Sequence, residues 1–170
     1  MVRRRTTLAI AAALVFTGAA PAGSTWCLGM GGLGPIRAGM GVEDVLRLAD
    51  WPGFERKTQA MDCWYLPYSG NGADFRLMII KSKVVRIEIT GHSQLHTFAG
   101  AHIGSTEEEL TALYGARLDI QPDEYDAAGH TITLKSGSGE YGLRFETSSG
   151  KVTAIEAGPW EHLNYFEGCG

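Results

Sequence analysis

Apolar and polar residues alternate with a period of two along much of the chain, which is typical of half-buried β-strands. The apolar positions of these segments are Phe75, Leu77, Ile79, Val85, Ile87, Ile89, Ile132, Leu134, Tyr141, Leu143 and Phe145. Their polar neighbours, which include Arg86, Glu88, Arg144 and Glu146, are expected to face solvent. We predict antiparallel hairpins in both halves of the chain.

Two more strands are expected outside these hairpins. One lies around 59–66 and carries Cys63, and an edge strand covers 163–166. Strands of this length are common in open sheets, where they extend the sheet at its edges.

Two short helices precede the hairpins. Ser105 and Glu108 form an S-x-x-E capping box, and Gly115 ends the helix that follows. The other helix, over 42–49, has Gly41 where a capping hydroxyl is usual, so we expect it to be the weaker of the two.

The chain repeats itself when 39–89 is laid over 104–157. The helices align at an offset of 65 positions and the hairpins at an offset of 68. Four of six residues are identical between Lys83–Glu88 and Lys151–Glu156. Because such self-similarity marks repeated units, we interpret the chain as two copies of a helix followed by strands.

One helix cannot cover the strands of its own half, so the two halves are expected to pack together. The predicted fold is α+β, with one antiparallel sheet, both helices on one face and the other face open. An open antiparallel face is a common platform for holding another protein.

The domain limits follow from this repeat. The predicted first repeat covers 39–90, a connector covers 91–103, and the second repeat with its C-terminal strand covers 104–170. These repeats lie within one compact domain, 23–170, whose first part, 23–38, is expected to be a linker.

The chain begins with the pattern of a secretory signal peptide. Arg3, Arg4 and Arg5 precede an apolar run over 8–16, and small residues lead to an expected cleavage near Ala22. The run is too short to span a bilayer, which needs about 20 apolar residues. We therefore expect a periplasmic or secreted protein with a signal peptide over 1–22.

Composition adds two constraints. Hydrophobic residues make up 44% and charged residues 20% of the chain, which fits a globular domain. After the expected cleavage, 12 basic and 19 acidic residues remain, a net charge of −7. This charge argues against nucleic acid and anionic membranes as partners.

Three cysteines, Cys27, Cys63 and Cys169, remain in the mature chain. In an oxidising compartment the expected outcome is one disulfide and one free thiol, and the sequence leaves all three pairings open.

Motifs for catalysis are weak. The Gly-x-Gly-x-x-Gly pattern at 29–34 lacks the strand and helix that a dinucleotide site needs. His92, His96 and His102 lie in the connector without the H-E-x-x-H motif, and G-x-S-x-G is absent from the chain. We predict no catalytic residue, no metal site and no cofactor; the alternative is a small metal- or thiol-dependent enzyme that uses these histidines or Cys27.

Aromatic residues cluster after Cys63 and before Cys169. Such clusters are typical of interface hot spots, although burial in the core or at a sheet edge is the alternative. The candidate interface residues are Trp64, Tyr65, Tyr68, Trp160 and Tyr165. The carboxylates of 123–126, which flank Tyr125, are expected to be a solvated turn.

Several of these segments resemble a group of uncharacterised bacterial exported proteins, similar to a tandem β-lactamase-inhibitory-protein and SmpA/OmlA-like fold. The matching segments are Gly34–Met40, the strand with Cys63, the helix within 104–115 and Glu167–Cys169. The resemblance implies a disulfide between Cys63 and Cys169 and action on another protein through a sheet face or loops. The β-lactamase inhibitor closes one small disulfide loop within each half, and the chain differs from it in that no cysteine lies in 115–128, directly after its second helix.

Together these observations predict an exported, non-enzymatic module that binds a protein partner. It would inhibit a periplasmic or secreted enzyme; the alternative is an envelope assembly or structural factor. Neither the partner nor the oligomeric state follows from the sequence.

Overall fold

The computed structural model describes residues 26–48, 51, 62–164 and 168–169. Within these residues the chain has a mixed α+β fold made mostly of antiparallel strands, with few helices. The expected signal peptide lies outside the described residues. In the described part, no helix is both long and apolar enough to cross a membrane.

The strands are β1 (Cys27–Gly29), β2 (Gly32–Leu33), β3 (Ile36–Arg37), β4 (Cys63–Gly70), β5 (Ala73–Ile80), β6 (Lys83–Ile89), β7 (His96–Thr97), β8 (Leu118–Pro122), β9 (His130–Lys135), β10 (Tyr141–Ser148) and β11 (Lys151–Pro159). The helices are α1 (Val42–Leu46), α2 (Glu107–Tyr114) and α3 (Trp160–Leu163).

The seven longer strands form one antiparallel sheet in the order β4-β5-β6-β11-β10-β9-β8. Each half of the chain contributes a continuous set of hairpins, and β6 and β11 join the two sets. This junction is short, since only 87–89 pairs with 155–157. The predicted α+β class and the antiparallel pairing of the hairpin strands are confirmed.

The prediction of a linker over 23–38 is wrong for residues 26–38, the part of it that the structure describes. Strands β1, β2 and β3 form a small sheet with β7, which comes from the expected connector. Leu28, Leu33 and Ile36 are fully buried in the core. Glycine turns separate these apolar residues, so each strand is too short for alternation to reveal it.

The two central hairpins share their irregularities. The ladder between β5 and β6 shifts at Met78/Ile79, and the ladder between β10 and β11 shifts at Glu146/Thr147, which is 68 positions later. The turns also correspond, because 81–82 and 149–150 both have positive φ angles. Two-residue turns of this kind match the twist of the strands that they join.

The loops before the first two helices are held in the same way. Gly39 donates to the Val84 carbonyl over 2.7 Å, and Gly104 donates to the Val152 carbonyl over 2.8 Å. Both glycines have positive φ angles, at 86° and 91°. Each loop is thereby fixed to the last strand of its own hairpin.

The helices differ from the prediction in detail. The capping box of α2 is Thr106 with Glu109, one position beyond the predicted pair, because the Ser105 hydroxyl instead accepts from the His102 amide. Helix α1 has five residues and no side-chain cap, in line with its expected weakness. The expected edge strand 163–166 is wrong at Leu163, which ends α3.

One face of the large sheet carries the hydrophobic core. Leu77 and Phe145 are fully or almost fully buried there, together with Val45 of α1 and Leu110 of α2. The small sheet adds its own apolar residues to the same cluster. Both of these helices and the small sheet therefore cover this face.

Candidate functional site

The opposite face of the large sheet carries a row of charged residues instead of an open polar surface. Arg76, Glu88, Glu156 and Arg144 occupy successive paired positions on β5, β6, β11 and β10. The expectation that Glu88 and Arg144 face solvent is wrong, because their exposed fractions are 1% and 5%. The row crosses the junction between the two halves at the Glu88–Glu156 pair.

Buried ion pairs connect this row. Arg86 Nη2 lies 2.6 Å from Glu88 Oε1 and 3.8 Å from Glu156 Oε1. Arg144 Nη1 lies 3.6 Å from Glu156 Oε2, and Arg76 pairs with Glu88 from a half-exposed position. Burial of charges requires such pairing, since an isolated buried charge costs several kcal/mol.

Helix α3 lies over this network because the arginines hydrogen-bond its carbonyl groups. Arg86 Nη1 donates to the His162 carbonyl over 3.1 Å, and Arg144 Nη1 donates to the Leu163 carbonyl over 3.3 Å. Gly142 makes room for the helix, since a Cβ atom there would lie 2.8 Å from the Trp160 ring. The predicted solvated face is therefore covered where α3 lies.

A disulfide between Cys63 and Cys169 holds the chain beyond α3 against β4, with the two Cα atoms 5.3 Å apart. This is the pairing that the family resemblance implies, and a disulfide of this kind persists in oxidising compartments. Tyr65 lies beside it, with the Arg76 guanidinium 4.3 Å from its ring centroid. The Tyr65 hydroxyl also accepts from Arg86 Nη2 over 3.3 Å.

Glu156 is the most perturbed acid of the network. Burial raises its pKa from 4.5 to about 7, and the neighbouring Glu88 carboxylate adds to the rise, while Arg86 and Arg144 oppose it. Among the described residues, Glu156 Oε2 has no hydrogen-bond donor. The carboxyl group is thus held near the point where it changes its charge at neutral pH.

This pKa predicts a pH dependence of stability. The neutral, protonated form of Glu156 is favoured in the folded chain. The stability that this form contributes is fully present below about pH 4.5 and is lost as the pH rises through about 7. The total loss in the free energy of unfolding is at most about 3 kcal/mol. Relative to the native chain, Glu156→Gln should therefore gain stability between pH 5 and 8. Urea unfolding at pH 5, 6, 7 and 8 measures this gain. The control is Glu161→Gln, on an exposed residue of α3, and a gain that is constant with pH would contradict the prediction.

Beyond α3 the same sheet face opens into a cleft, which we call the β8 cleft. Its volume is about 310 Å³. Asp119 of β8 and Thr133 of β9 lie on its floor, and its walls include Trp160 of α3 and Tyr125 of the loop after β8. Because β8 is the outermost strand of the sheet among the described residues, this cleft lies at the sheet edge.

The loop at the mouth of the cleft has a fixed shape. Asp123 Oδ1 accepts from the backbone amides of Tyr125 and Asp126 over 2.8 and 2.9 Å. These hydrogen bonds lower the pKa of Asp123 below its usual value, so its carboxylate is charged at neutral pH. The same loop leaves the Tyr125 side chain 83% exposed.

The five candidate interface residues do not form one surface. Trp64 packs against the core, and Tyr68 is buried and stacks on Phe75 with ring centroids 4.9 Å apart. Tyr65 lies on the opposite face beside the charge network, and Trp160 lines the β8 cleft. The fifth candidate, Tyr165, lies outside the described residues.

The small sheet brings together three of the residues that the catalytic alternative would use. His96 of β7 pairs with Cys27 of β1 and also forms an isolated antiparallel bridge with His102. Within the part of the chain that the structure describes, no group of three or more His, Cys, Asp or Glu side chains is placed to hold a metal ion. His96 and His102 hydrogen-bond backbone carbonyls through Nδ1. Cys27 is a half-buried free thiol in a second cavity of about 430 Å³, which Arg37 and Phe98 also line.

Sequence reasoning missed most of the cleft. Asp119, Thr133 and Asn164 line it but belong to no sequence motif. The sequence predicts the 123–126 loop only as a solvated turn. The sequence signal that could have revealed this edge strand is the alternation of polar residues with Ile120 in β8.

Comparisons with known proteins do not assign the chain to a family. No family model matches the chain, and no curated protein matches it. Among solved structures, it is similar to an extracellular protein containing an SCP domain from Bacillus anthracis str. Ames, at 11% sequence identity and a TM-score of 0.49. The match covers 74% of this chain and 45% of that one, which is less than half of the other protein's length. The resemblance to the β-lactamase inhibitor and SmpA/OmlA-like group rests on the sequence motifs alone.

Proposed function

We propose that this protein is an exported, non-enzymatic module that binds another protein at the β8 cleft. This proposal rests on the cleft, where exposed Tyr125 and the wall residue Trp160 lie beside the sheet edge. Aromatic side chains around a concave site are typical of binding hot spots. Strand β8 adds an edge with exposed Ile120, to which a partner segment can pair.

Two observations support export. The N-terminal sequence has the charged, apolar and small-residue regions of a signal peptide. The disulfide between Cys63 and Cys169 suits an oxidising compartment such as the periplasm or the medium.

We also propose that the two halves are copies of one unit in a tandem, β-lactamase-inhibitory-protein-like arrangement. Equivalent ladder shifts, equivalent turns and equivalent loop hydrogen bonds at Gly39 and Gly104 support this. Pairing of Glu88 with Glu156, its counterpart 68 positions later, puts a local two-fold axis through the junction. In the second half the described strands also include β8, which lies at the sheet edge beside the cleft.

Within this class we propose that the protein inhibits a periplasmic or secreted enzyme. An acidic domain tied by a disulfide suits a protein that acts outside the cell, and its net charge after cleavage is −7. An envelope assembly factor is the alternative. An inhibitor lowers the activity of the purified partner at equimolar ratio, whereas an assembly factor leaves that activity unchanged.

Binding through the cleft predicts the outcome of an affinity capture. The oxidised chain from residue 23, immobilised and exposed to periplasmic and secreted fractions of its own source, should retain one stoichiometric partner. Tyr125→Ala with Trp160→Ala should reduce capture at least tenfold, since hot-spot aromatics contribute 2 kcal/mol or more. The matched control is Phe98→Ala, because Phe98 is 81% exposed and lines the other cavity.

The single variant Tyr125→Ala guards against misfolding, since its side chain makes little contact with the core. It should also weaken capture while circular dichroism remains native. A partner that the double variant retains at full yield, or no captured partner at all, would contradict the proposed function.

A further inference from the structure

We propose that the β8 cleft accepts a basic side chain, lysine or arginine, that projects from the partner protein. This inference rests on the proposed function and deepens it by stating what chemistry the partner presents. It follows from the shape of the cleft, the charges that line it and the rigidity of its loop.

The shape suits a long, amphipathic side chain. Lysine and arginine place an aliphatic stem along apolar surface and keep the charged group at the end. The cleft offers aromatic side chains, Trp160 and Tyr125, as walls and polar groups such as Thr131 and Thr133 on its floor. A volume of about 310 Å³ holds one such side chain with accompanying water.

The charges select a cation. Asp119, Asp123 and Glu124 line the cleft, and Arg144 is the basic residue among its lining. Arg144 offsets these three carboxylates only in part: it helps to lower the pKa of Asp123, but its guanidinium also pairs with Glu146 at 3.0 Å and lies 3.6 Å from Glu156. The exposed charge of the cleft is therefore negative, and an acidic or phosphorylated segment would be repelled.

The receptor groups are held in place before binding. Asp123 is fixed by two backbone amides and by the Thr131 hydroxyl, 3.3 Å from Oδ2. Fixed groups lose little entropy on binding, which favours affinity.

The aromatic walls add an attraction of their own. Lys135 Nζ lies 4.7 Å from the centroid of the Trp160 ring, so this ring already interacts with a cation of the same chain. The exposed ring of Tyr125 offers a second aromatic face, and such faces attract cations through the ring quadrupole. We assign the incoming cation to the side of the cleft with Tyr125 and the carboxylates.

The probe for this inference is Nα-acetyl-arginine amide, titrated into the oxidised protein and followed by amide and indole chemical shifts in NMR. The neutral comparison compound is Nα-acetyl-citrulline amide, which has nearly the same shape without the charge. We expect saturable shifts at Tyr125, Thr133 and the Trp160 indole with the arginine compound, at millimolar affinity. Citrulline binding should be at least about tenfold weaker, because its neutral urea group cannot make the charge-assisted hydrogen bonds that the guanidinium makes to carboxylates.

A charge-matched pair of variants locates the effect. Asp119→Asn with Glu124→Gln removes two carboxylates from the cleft and should weaken arginine binding about five- to tenfold, since ion pairs to exposed carboxylates are individually weak. Glu43→Gln with Glu108→Gln removes two exposed acidic residues from the helices on the other side of the sheet and should leave the affinity unchanged.

Three results would overturn the inference: no shift in the cleft, equal binding of the citrulline compound, or equal weakening by both pairs of variants. Failure of the proposed function can be distinguished from failure of this inference. A partner captured in a Tyr125- and Trp160-dependent way, together with absent arginine shifts, would leave the function standing and refute the basic side chain. Arginine shifts without any captured partner would refute the function and leave the cleft's preference intact.

Discussion

Arg86→Met should lower the free energy of unfolding by about 3–5 kcal/mol, the usual loss when one member of a buried ion pair is removed. Arg86 is 3% exposed and pairs with two carboxylates, Glu88 and Glu156. Methionine keeps much of the stem but no charge, so both carboxylates remain buried with less compensation. Chemical unfolding at pH 7 and 25 °C measures the loss.

The control is Arg76→Met, which removes a half-exposed partner of the same Glu88. Its expected loss is about 1 kcal/mol or less, because solvent screens exposed pairs. Adding Glu88→Gln to Arg86→Met should recover part of the stability. If the two arginine variants lose the same amount, the network does not act through buried charge.

Removing the disulfide should have a comparable effect. Cys63→Ser with Cys169→Ser opens a cross-link between residues 106 positions apart. In the chain-entropy model a loop of this size contributes about 4–5 kcal/mol to stability. Unfolding curves of the native chain and of the double variant, both without reductant, measure the loss.

The third cysteine provides the comparison. Cys27→Ser removes a free, half-buried thiol and should change stability by about 1 kcal/mol or less. Reductant should destabilise the native chain and Cys27→Ser equally and leave the double variant unchanged. A double variant as stable as the native chain would show that the cross-link does not constrain the unfolded state.

Alternation in the sequence was sufficient to predict the central hairpins. Each of these strands has one apolar face, and a turn of two residues fixes its register, as at Lys81 and Ser82. The pattern is local, so no long-range contact is needed to recognise it. The small sheet escaped recognition because strands of two or three residues are too short to show a period.

The buried charges could not be predicted from the same pattern. Alternation assigns Arg86, Glu88, Arg144 and Glu156 to one face but does not say what covers that face. The cover is α3, whose carbonyl groups accept hydrogen bonds from two of the arginines. The contact between Arg86 and His162 spans 76 positions, and only the fold brings the two residues together.

The candidate site was predicted in fragments. The sequence predicted Trp160 as a candidate interface residue and the 123–126 loop as a turn, but nothing local connects the two. The order of strands at the sheet edge brings them to one cleft. Tyr68 shows the opposite outcome, because the alternation of β4 turns it into the core.

The position of the disulfide also determines what a single proteolytic cut would do. The exposed turn 98–100, which follows β7, is where a protease would find accessible backbone. Cys63 precedes this stretch and Cys169 follows it. A chain cut there would give two fragments that remain covalently linked and paired through β6 and β11. Such a nick changes the number of polypeptides without dividing the molecule.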